Sequence, residues 1–241
     1  MTITEGILVW VTKVYIWTSA GSSQMKAYNS FYNRRAKRII GLMLAILLIS
    51  PAFPIYLMIA VAIFFEDGLP VFYRPLRSGY KGKAFRIIKF RTMVKNADLI
   101  GGGTTADHDP RITKVGGFLR KTKLDETANL INIILGTMSF IGPRPELLKY
   151  TCQYQGEEKE ILEVRPGVTD YSSIEFINLD EIVGSDHPDE NYEKYVLKRK
   201  NALRVKYAES VGFKTDCSIF IMTIWKVVEK AFGYLFRKEH R

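Results

Sequence analysis

Cysteine and histidine are scarce in this chain of 241 residues, which holds two of the former and three of the latter. Cys152 and Cys217 are too few for a disulfide framework, so a reducing compartment is the simplest interpretation. The histidines, His108, His187 and His240, stand apart from one another and from the cysteines. The sequence therefore predicts neither a zinc site nor a histidine-based catalytic triad.

Acidic residues are scarce over the first 150 positions. Residues 1–65 hold one acidic and six basic side chains, and residues 66–150 hold eight and fifteen. Residues 151–210 reverse the balance with thirteen acidic and eight basic side chains, within a total net charge of +10. A negatively charged partner is therefore expected at the first 150 residues or at the basic tail. The uneven distribution argues against a nucleic-acid-binding protein, and the 47% hydrophobic content excludes a disordered polyelectrolyte.

Charge is absent altogether from the 27 residues 39–65. One straight helix of that length would measure roughly 40 Å, enough for the ~30 Å hydrocarbon core of a membrane. Ser50 and Pro51, followed by Pro54, are expected to interrupt it, because proline lacks the backbone N–H and restricts the residue before it. Two apolar halves of 11 residues remain, each about 16 Å long and half a bilayer in depth.

Both flanks of this apolar segment are basic, and basic residues mark the cytoplasmic side of a membrane. A re-entrant hairpin that breaks at Ser50 and Pro51 places both flanks on one side and is the preferred interpretation. A proline-kinked single span and a buried helix of a soluble protein are the alternatives. The flanking basic residues are Arg34, Arg35, Lys37 and Arg38 before the segment, and Arg74, Arg77, Lys81, Lys83, Arg86, Lys89 and Arg91 after it.

The two ends and one internal loop carry weaker signals. Residues 1–24 lack a basic leader region, so a cleaved signal peptide is not expected, and Met25 is an alternative start. Ser218–Arg237 is amphipathic and is predicted either to lie in a membrane interface or to pack on the domain core. Gly101–Gly103 fits a phosphate-binding loop or a flexible one.

The adjacent carboxylates Asp125 and Glu126 lie near the start of a predicted helix, Leu124–Leu135, which Gly136 ends. A carboxylate at a helix N-terminus, near cations, stays ionised and is available as a nucleophile. Its neighbour can hold Mg²⁺ or move a proton. The alternative is a capping box, which Thr122 and Asp125 fit without any catalysis.

Two basic elements are candidates for phosphate binding. The bend Gly142–Pro145 presents the planar guanidinium of Arg144, which suits phosphate but also fits an ordinary turn. Lys89 and Arg91 alternate along a β-like run that begins at Ala84, so the two cations should share one face. That face is either directed at phosphate or simply solvated.

Six short motifs occur in one order, and together they resemble the bacterial sugar transferases, in particular the small monotopic phosphoglycosyl transferases. The resemblance covers roughly residues 30–172, and the chain is similar to the minimal members, which lack a multi-span N-terminal domain. The motifs are Ser50-Pro51, Lys89-Phe90-Arg91-Thr92-Met93, Asp109-Pro110-Arg111-Ile112-Thr113, Leu124-Asp125-Glu126, Gly142-Pro143-Arg144-Pro145 and Arg165-Pro166-Gly167-Val168-Thr169.

The resemblance implies a two-step transfer of a sugar phosphate. Asp125 would attack a UDP-sugar and release UMP, and polyprenyl phosphate would then take the phosphosugar from the carboxylate. Glu126 corresponds to the Mg²⁺-associated partner of this nucleophile. The substrate- or nucleotide-binding positions are Lys89, Arg91, Arg120, Pro143, Arg144, Pro145 and Arg165.

The resemblance also implies a fold, a location and partners. It predicts a mostly helical α/β protein with a re-entrant membrane helix hairpin, a small catalytic domain and interfacial amphipathic helices. The expected place is the cytoplasmic face of the bacterial inner membrane, with a second copy of the chain and downstream glycosyltransferases as further partners and no nucleic acid. The expected segments are an N-terminal extension (1–33), the re-entrant helix (34–68), the catalytic core (69–175) and a C-terminal helical region (176–241).

Two segments depart from the family pattern. Thr127-Ala128-Asn129 replaces the usual leucine-proline-glutamine, and the residues after Val168 differ from the usual tryptophan-containing run. The identity of the sugar therefore cannot be read from the sequence. The alternative function from a different class is a non-catalytic module whose basic patches bind anionic lipid.

Overall fold

The computed structural model describes residues 26–97, 109–184 and 187–237. The predictions made for residues 1–24, Met25, Gly101–Gly103 and His108 lie outside these ranges. Within them the chain is mostly helical with little sheet, which confirms that part of the predicted fold class.

The longest element is helix α1, Lys37–Asp67, which continues from a π-helical segment, Tyr32–Ala36. Ser50, Pro51 and Pro54 all lie inside α1. The two apolar halves therefore form one continuous helix, and the predicted interruption at Ser50 and Pro51 does not separate two helices. A helix tolerates internal proline when the remaining backbone groups still bond along it. A bend that returns α1 to the side from which it entered stays a prediction.

Helix α1 is packed at its two ends and exposed in its middle. Gly41 and Ala45 are buried toward one end and Ile59 and Ile63 toward the other, whereas Leu47 is 67% exposed. Only 11% of its most apolar stretch is buried, so the alternative of a buried helix in a soluble core is wrong. By length and composition it is the one helix in the described ranges that could cross a membrane.

The other elements are mostly short. Three two-stranded sheets pair β1 with β4 and β2 with β3 in antiparallel fashion, and β5 with β6 in parallel. The strands are β1 (Phe72–Tyr73), β2 (Leu76–Ser78), β3 (Ala84–Arg86), β4 (Lys89–Phe90), β5 (Ser139–Ile141) and β6 (Gly167–Thr169). The helices are α2 (Lys114–Thr122), α3 (Asn129–Leu135), α4 (Leu148–Thr151), α5 (Tyr171–Glu175), α6 (Leu179–Val183), α7 (Pro188–Asn191), α8 (Lys198–Ser210) and α9 (Phe213–Arg237). Further 3₁₀ segments are Ala27–Asn29, Tyr80–Gly82, Leu124–Ala128 and Gly156–Glu163, and Tyr192–Leu197 is π-helical.

The predicted helix Leu124–Leu135 consists of a 3₁₀ turn, Leu124–Ala128, followed by α3. Gly136 ends it as predicted, with a φ of +83° that glycine adopts without strain. The β-like run from Ala84 is divided between β3 and β4, which belong to different sheets.

Separate hydrophobic clusters hold α1 and the C-terminal helices to the domain. The second half of α1 packs with Phe90, Leu119 and Ala128, and its first half packs with Ile133 and Met138. A further cluster joins the C-terminal helices to β5 through Ile141, Tyr207, Ala208 and Ile219.

A buried polar network joins the start of α1 to α9. The Lys37 ammonium lies 3.0 Å from Asp216 Oδ2, and the Tyr207 hydroxyl donates to Asp216 Oδ1 at 2.7 Å. The Tyr32 hydroxyl donates to the same carboxylate at 2.7 Å. Because Lys37 and Asp216 are both more than nine-tenths buried, each requires the other as a charge partner.

Helix α9 fulfils one of the two arrangements predicted for the C-terminal amphipathic segment and leaves the other open. Ile219 is fully buried and the Thr223 hydroxyl meets that of Thr169 at 2.9 Å, so one face packs on the domain. Ile221 and Trp225 on the rest of the helix are 65% and 62% exposed. An interfacial position for this exposed apolar surface stays a prediction.

Candidate active site

Asp125 and Glu126 lie in the 3₁₀ turn between α2 and α3. Lys123 ends α2 in the left-handed conformation, with a φ of +58°, and so redirects the chain into this turn. Thr122 is the last residue of α2, and its hydroxyl donates to the carbonyls of Phe118 and Leu119. The residue that precedes the turn is Lys123, and no side chain of the described residues caps the turn with a hydrogen bond. The capping-box alternative is therefore wrong.

Two cations from distant parts of the sequence bind the Glu126 carboxylate. The Lys89 ammonium donates to Oε1 at 3.0 Å, and Arg144 donates through Nη1 to Oε2 at 2.9 Å and through Nη2 to Oε1. Burial would raise the pKa of Glu126, but the ion pairs with Arg144 and Lys89 outweigh it and hold the pKa well below its usual range. Glu126 is therefore a fixed, ionised carboxylate.

Asp125 has the opposite environment. It is 8% exposed, and its Oδ1 is buried with no hydrogen-bond partner among the described residues. Burial and the charge of Glu126 raise its pKa, against the opposing effect of Lys89 and other cations. The sequence led us to expect flanking cations to favour the ionised form, but burial dominates because it removes water from the carboxylate.

The two carboxylates fit Mg²⁺ bound through one or two side chains together with substrate phosphates. From the described residues, Oε2 of Glu126 accepts a single hydrogen bond, so one lone pair remains for a cation, and Oδ1 of Asp125 meets no donor. No group of three or more potential ligands occurs in the described ranges, so a cage made by the protein alone is not expected there.

The glycine-proline-arginine-proline bend lies against the Arg165–Thr169 motif, because β5 and β6 run side by side. A Cβ on Gly142 would lie 2.4 Å from the Arg165 carbonyl oxygen, and one on Gly167 would lie 2.2 Å from the Gly142 nitrogen. Only glycine permits so close an approach of two backbones. The Gly167 N–H donates to the Pro143 carbonyl at 3.0 Å, which fixes the bend that carries Arg144.

The structure brings some of the predicted site residues together and separates others. Lys89, Asp125, Glu126 and Arg144 form one cluster, and Arg120 in the last turn of α2 is close enough to favour the ionised form of Asp125. Pro143 and Pro145 line a cavity on the same bend.

Two of the predicted binding positions, Arg91 and Arg165, lie outside this cluster. Arg91 donates to the carbonyls of Asp67 and Gly68 at 2.9 and 2.7 Å, so it fastens the end of α1. Arg165 stacks on the Tyr80 ring and lies beside the start of α1. The Ser50-Pro51 pair is in the exposed middle of α1.

Two carboxylates beside the bend, Asp170 and Glu146, were missed from the sequence. Asp170 accepts hydrogen bonds from Ser172 and Ser173 and, at 3.4 Å, from the Arg144 backbone N–H. Its signal is local, since aspartate before Ser172 and Ser173 is a helix N-cap pattern. Glu146 pairs with Arg204 at 3.0 Å, and no local pattern predicts that partner, which is 58 residues away.

Comparison with known proteins identifies the family of the chain. The model of the family described as bacterial sugar transferase matches residues 32–230. The "Uncharacterized sugar transferase EpsL" of Bacillus subtilis is 32% identical over 192 residues, which are 80% of this chain and 87% of the relative.

Other relatives have more specific names. The UDP-glucose:undecaprenyl-phosphate glucose-1-phosphate transferase of Escherichia coli is 36% identical over 151 residues, 59% of this chain, but the match spans only 31% of that protein. A putative undecaprenyl-phosphate N-acetylgalactosaminyl 1-phosphate transferase of Bacillus subtilis is 36% identical over 121 residues, 50% of this chain and 68% of the relative. With its paired carboxylates held among cations, the chain belongs to the bacterial sugar transferase family and is an enzyme of the phosphoglycosyl transferase class.

Proposed function

We propose that this enzyme transfers a sugar-1-phosphate from a UDP-sugar to polyprenyl phosphate, releasing UMP, in the assembly of a surface glycan. The observation that carries the proposal is the contrast between the two carboxylates. Asp125 has a raised pKa and an oxygen without a hydrogen-bond partner among the described residues, whereas both oxygens of Glu126 accept hydrogen bonds from Lys89 or Arg144. The names of the relatives, which specify undecaprenyl phosphate, support the acceptor.

Asp125 is the nucleophile of the first step. Its carboxylate oxygen bonds to the β-phosphorus of the UDP-sugar, the bond from that phosphorus to the bridging oxygen breaks, and UMP leaves with the electron pair. A raised pKa makes the ionised carboxylate a stronger nucleophile, provided that the pKa stays below the working pH. Glu126 is unsuited to this role because both of its oxygens are hydrogen-bonded to cations.

Polyprenyl phosphate completes the reaction. One of its phosphate oxygens bonds to the phosphorus of the phosphosugar, the bond from Asp125 to that phosphorus breaks, and the carboxylate is restored. The product is a polyprenyl-diphosphate-sugar. Arg144 and Lys89 keep positive charge beside the reacting phosphorus through both steps, where charge stabilisation has its largest effect.

Mg²⁺ is the proposed cofactor, with Glu126 as its ligand and Asp125 beside it. When bound, it would neutralise part of the charge on the diphosphate of the donor. Glu126 remains ionised for this purpose because Arg144 and Lys89 hold its pKa low.

Helix α1 is proposed to enter the membrane from the cytoplasmic face and return to it. Both ends of α1 are fastened to the same domain: Arg38 donates to the carbonyls of Ile133 and Ile134, and Glu66 accepts from the backbone of α2 at 2.7 Å. A bend in the exposed middle, at Ser50 and Pro51, would leave the domain on one face. The basic flanks on both sides support this arrangement.

The test is UMP release by the purified chain with Mg²⁺, polyprenyl phosphate and a panel of UDP-sugars. We expect release with at least one donor, and loss of release by at least a thousandfold in Asp125→Asn. Mass spectrometry of the chain with donor alone should find a phosphosugar adduct on Asp125. Glu126→Gln is the matched comparison, and an adduct on residue 126 of the parent, or full activity in Asp125→Asn, would refute the assignment.

A further inference from the structure

A crevice beside the first turns of α1 has a cationic end and an apolar wall. Three basic side chains form the cationic end, and they are Lys37, Arg38 and Arg165. The inner end of the crevice is lined by three buried apolar residues, which are Gly41, Ile133 and Met138. The crevice therefore has the two-part character of a site for an amphiphile with a negatively charged head.

The charges within the crevice are not balanced. Lys37 pairs with Asp216, and Arg38 uses two of its donors on the carbonyls that end α3. In the part of the chain described here, Arg165 contacts the Tyr80 ring, 5.2 Å from the centroid, and pairs with no carboxylate. Arg165 is also close enough to Lys37 and Arg38 to repel both. Three cations face one carboxylate, so a further anion would relieve the repulsion.

The planar fork of an unpaired arginine suits one class of anion in particular. All five N–H donors of Arg165 lack an acceptor in the described ranges, and Arg38 retains three. Two such groups match the oxygens of a phosphate, which accept paired N–H bonds.

Exposed apolar side chains lie close in sequence to the residues of the crevice, on α1 and at the end of α3. Ile40 and Leu44 are 40% and 44% exposed, and Leu135 at the end of α3 is 65% exposed. Acyl chains that follow these side chains would place their headgroup at the cationic end. These exposed side chains belong to the surface that we propose to lie in the membrane.

This crevice is separate from the reacting carboxylates. Arg38 binds the carbonyls of Ile133 and Ile134 at the end of α3, whereas Asp125 precedes the start of α3. Eight or nine residues at a rise of ~1.5 Å place the two points roughly 12 Å apart. A phosphate held at the crevice is therefore outside the ~3 Å reach that attack by Asp125 requires.

We propose that this crevice binds the phosphate headgroup of an anionic membrane phospholipid, with Arg165 and Arg38 on the phosphate and the acyl chains against α1. The bound lipid fastens the start of α1 to the domain and takes no part in the transfer. The proposal does not depend on the transfer reaction, since its test measures lipid binding without turnover.

The experiment titrates the full chain in detergent with phosphatidylglycerol and counts bound lipid by native mass spectrometry. We expect Arg165→Gln to weaken binding at least tenfold. Lys159→Gln, which changes the net charge equally at an exposed position, should bind as the parent does. Phosphatidylcholine, which has a phosphate but no net charge, should bind more weakly than phosphatidylglycerol.

Three outcomes would overturn the proposal. One is equal affinity of the parent and Arg165→Gln, and another is equal weakening in Arg165→Gln and Lys159→Gln, which would indicate non-specific attraction. The third is displacement of phosphatidylglycerol by an equal concentration of polyprenyl phosphate, which would make the crevice a substrate site. If Arg165→Gln does not fold, Arg165→Lys decides, because lysine keeps the charge but lacks the planar fork: at least threefold weaker binding supports the site and unchanged binding refutes it.

Discussion

Arg144 should contribute to stability as well as to chemistry, through its paired hydrogen bonds to Glu126. In Arg144→Gln the Glu126 carboxylate would keep only the Lys89 ammonium as a charge partner. Removing one member of a fully buried ion pair destabilises a protein by about 3–5 kcal/mol, whereas exposed pairs contribute about 0.2–1 kcal/mol. The side chains of Arg144 and Glu126 are 31% and 18% exposed, between those limits.

An intermediate loss of about 2 kcal/mol is therefore expected for Arg144→Gln. For a chain of this size, 1 kcal/mol shifts the unfolding midpoint by about 2–4 °C, so the midpoint should fall by about 4–8 °C. The assay is thermal unfolding of the full chain in detergent. Lys149→Gln is the matched control, because Lys149 and Glu193 form a pair that is about half exposed. Its midpoint should fall by about 4 °C at most, and by less than that of Arg144→Gln.

A double-mutant cycle separates the ion pair from other effects of the substitution. Glu126→Gln combined with Arg144→Gln leaves no uncompensated carboxylate, so the double variant should be less damaged than the sum of the single variants by about 1–3 kcal/mol. Additive losses within about 0.3 kcal/mol, or a shift for Arg144→Gln no larger than that of the control, would refute the reasoning.

Three further predictions concern the dyad, a backbone contact and the buried network. Because the folded pKa of Asp125 is raised, its ionisation opposes folding increasingly as the pH rises above the unfolded value near 3.8. Asp125→Asn should therefore raise the unfolding midpoint at pH 7, with the gain disappearing near pH 4, and a gain that does not change with pH would contradict this. Gly167→Ala should lower the free energy of unfolding by about 3 kcal/mol or more, because the added Cβ would overlap the backbone of Gly142. Gly117→Ala is the control in the same melting assay. Its Cβ would make an ordinary contact at 3.9 Å, so the substitution should be neutral or stabilise the protein by about 0.5–1 kcal/mol. Asp216→Asn should lower the free energy of unfolding by about 3–5 kcal/mol, because the buried Lys37 ammonium would lose its carboxylate partner. A loss under about 1 kcal/mol would show that the buried network does not stabilise the fold.

Several elements of the fold were predictable from the sequence because their signals are local. The charge-free run from residue 39 to 65 is long and apolar, and it forms one helix. The segment from Leu124 is helical and ends at Gly136, where a positive φ suits glycine. The continuity of α1 through its prolines was not predicted, since proline removes single hydrogen bonds and the rest of the helix decides whether it persists.

The site was predictable in its residue types but not in its pairings. The sequence by itself offered Asp125, Glu126, Lys89 and Arg144 as candidates, each with a structural alternative, and the resemblance to a known family joined them into one predicted site. Only the tertiary structure decided that Lys89 and Arg144 both bind Glu126, and that Oδ1 of Asp125 has no hydrogen-bond partner among the described residues.

In the tertiary structure Arg165 lies beside the start of α1 and not in the predicted site. Lys37 and Asp216 form an ion pair although they are far apart in the sequence. The local sequence determines the hydrophobic periodicity of a helix or strand and the charges on its side chains. Which charges meet, and which group loses its water, depends on segments that are far apart in the chain, because burial and pairing exist only after the chain has folded.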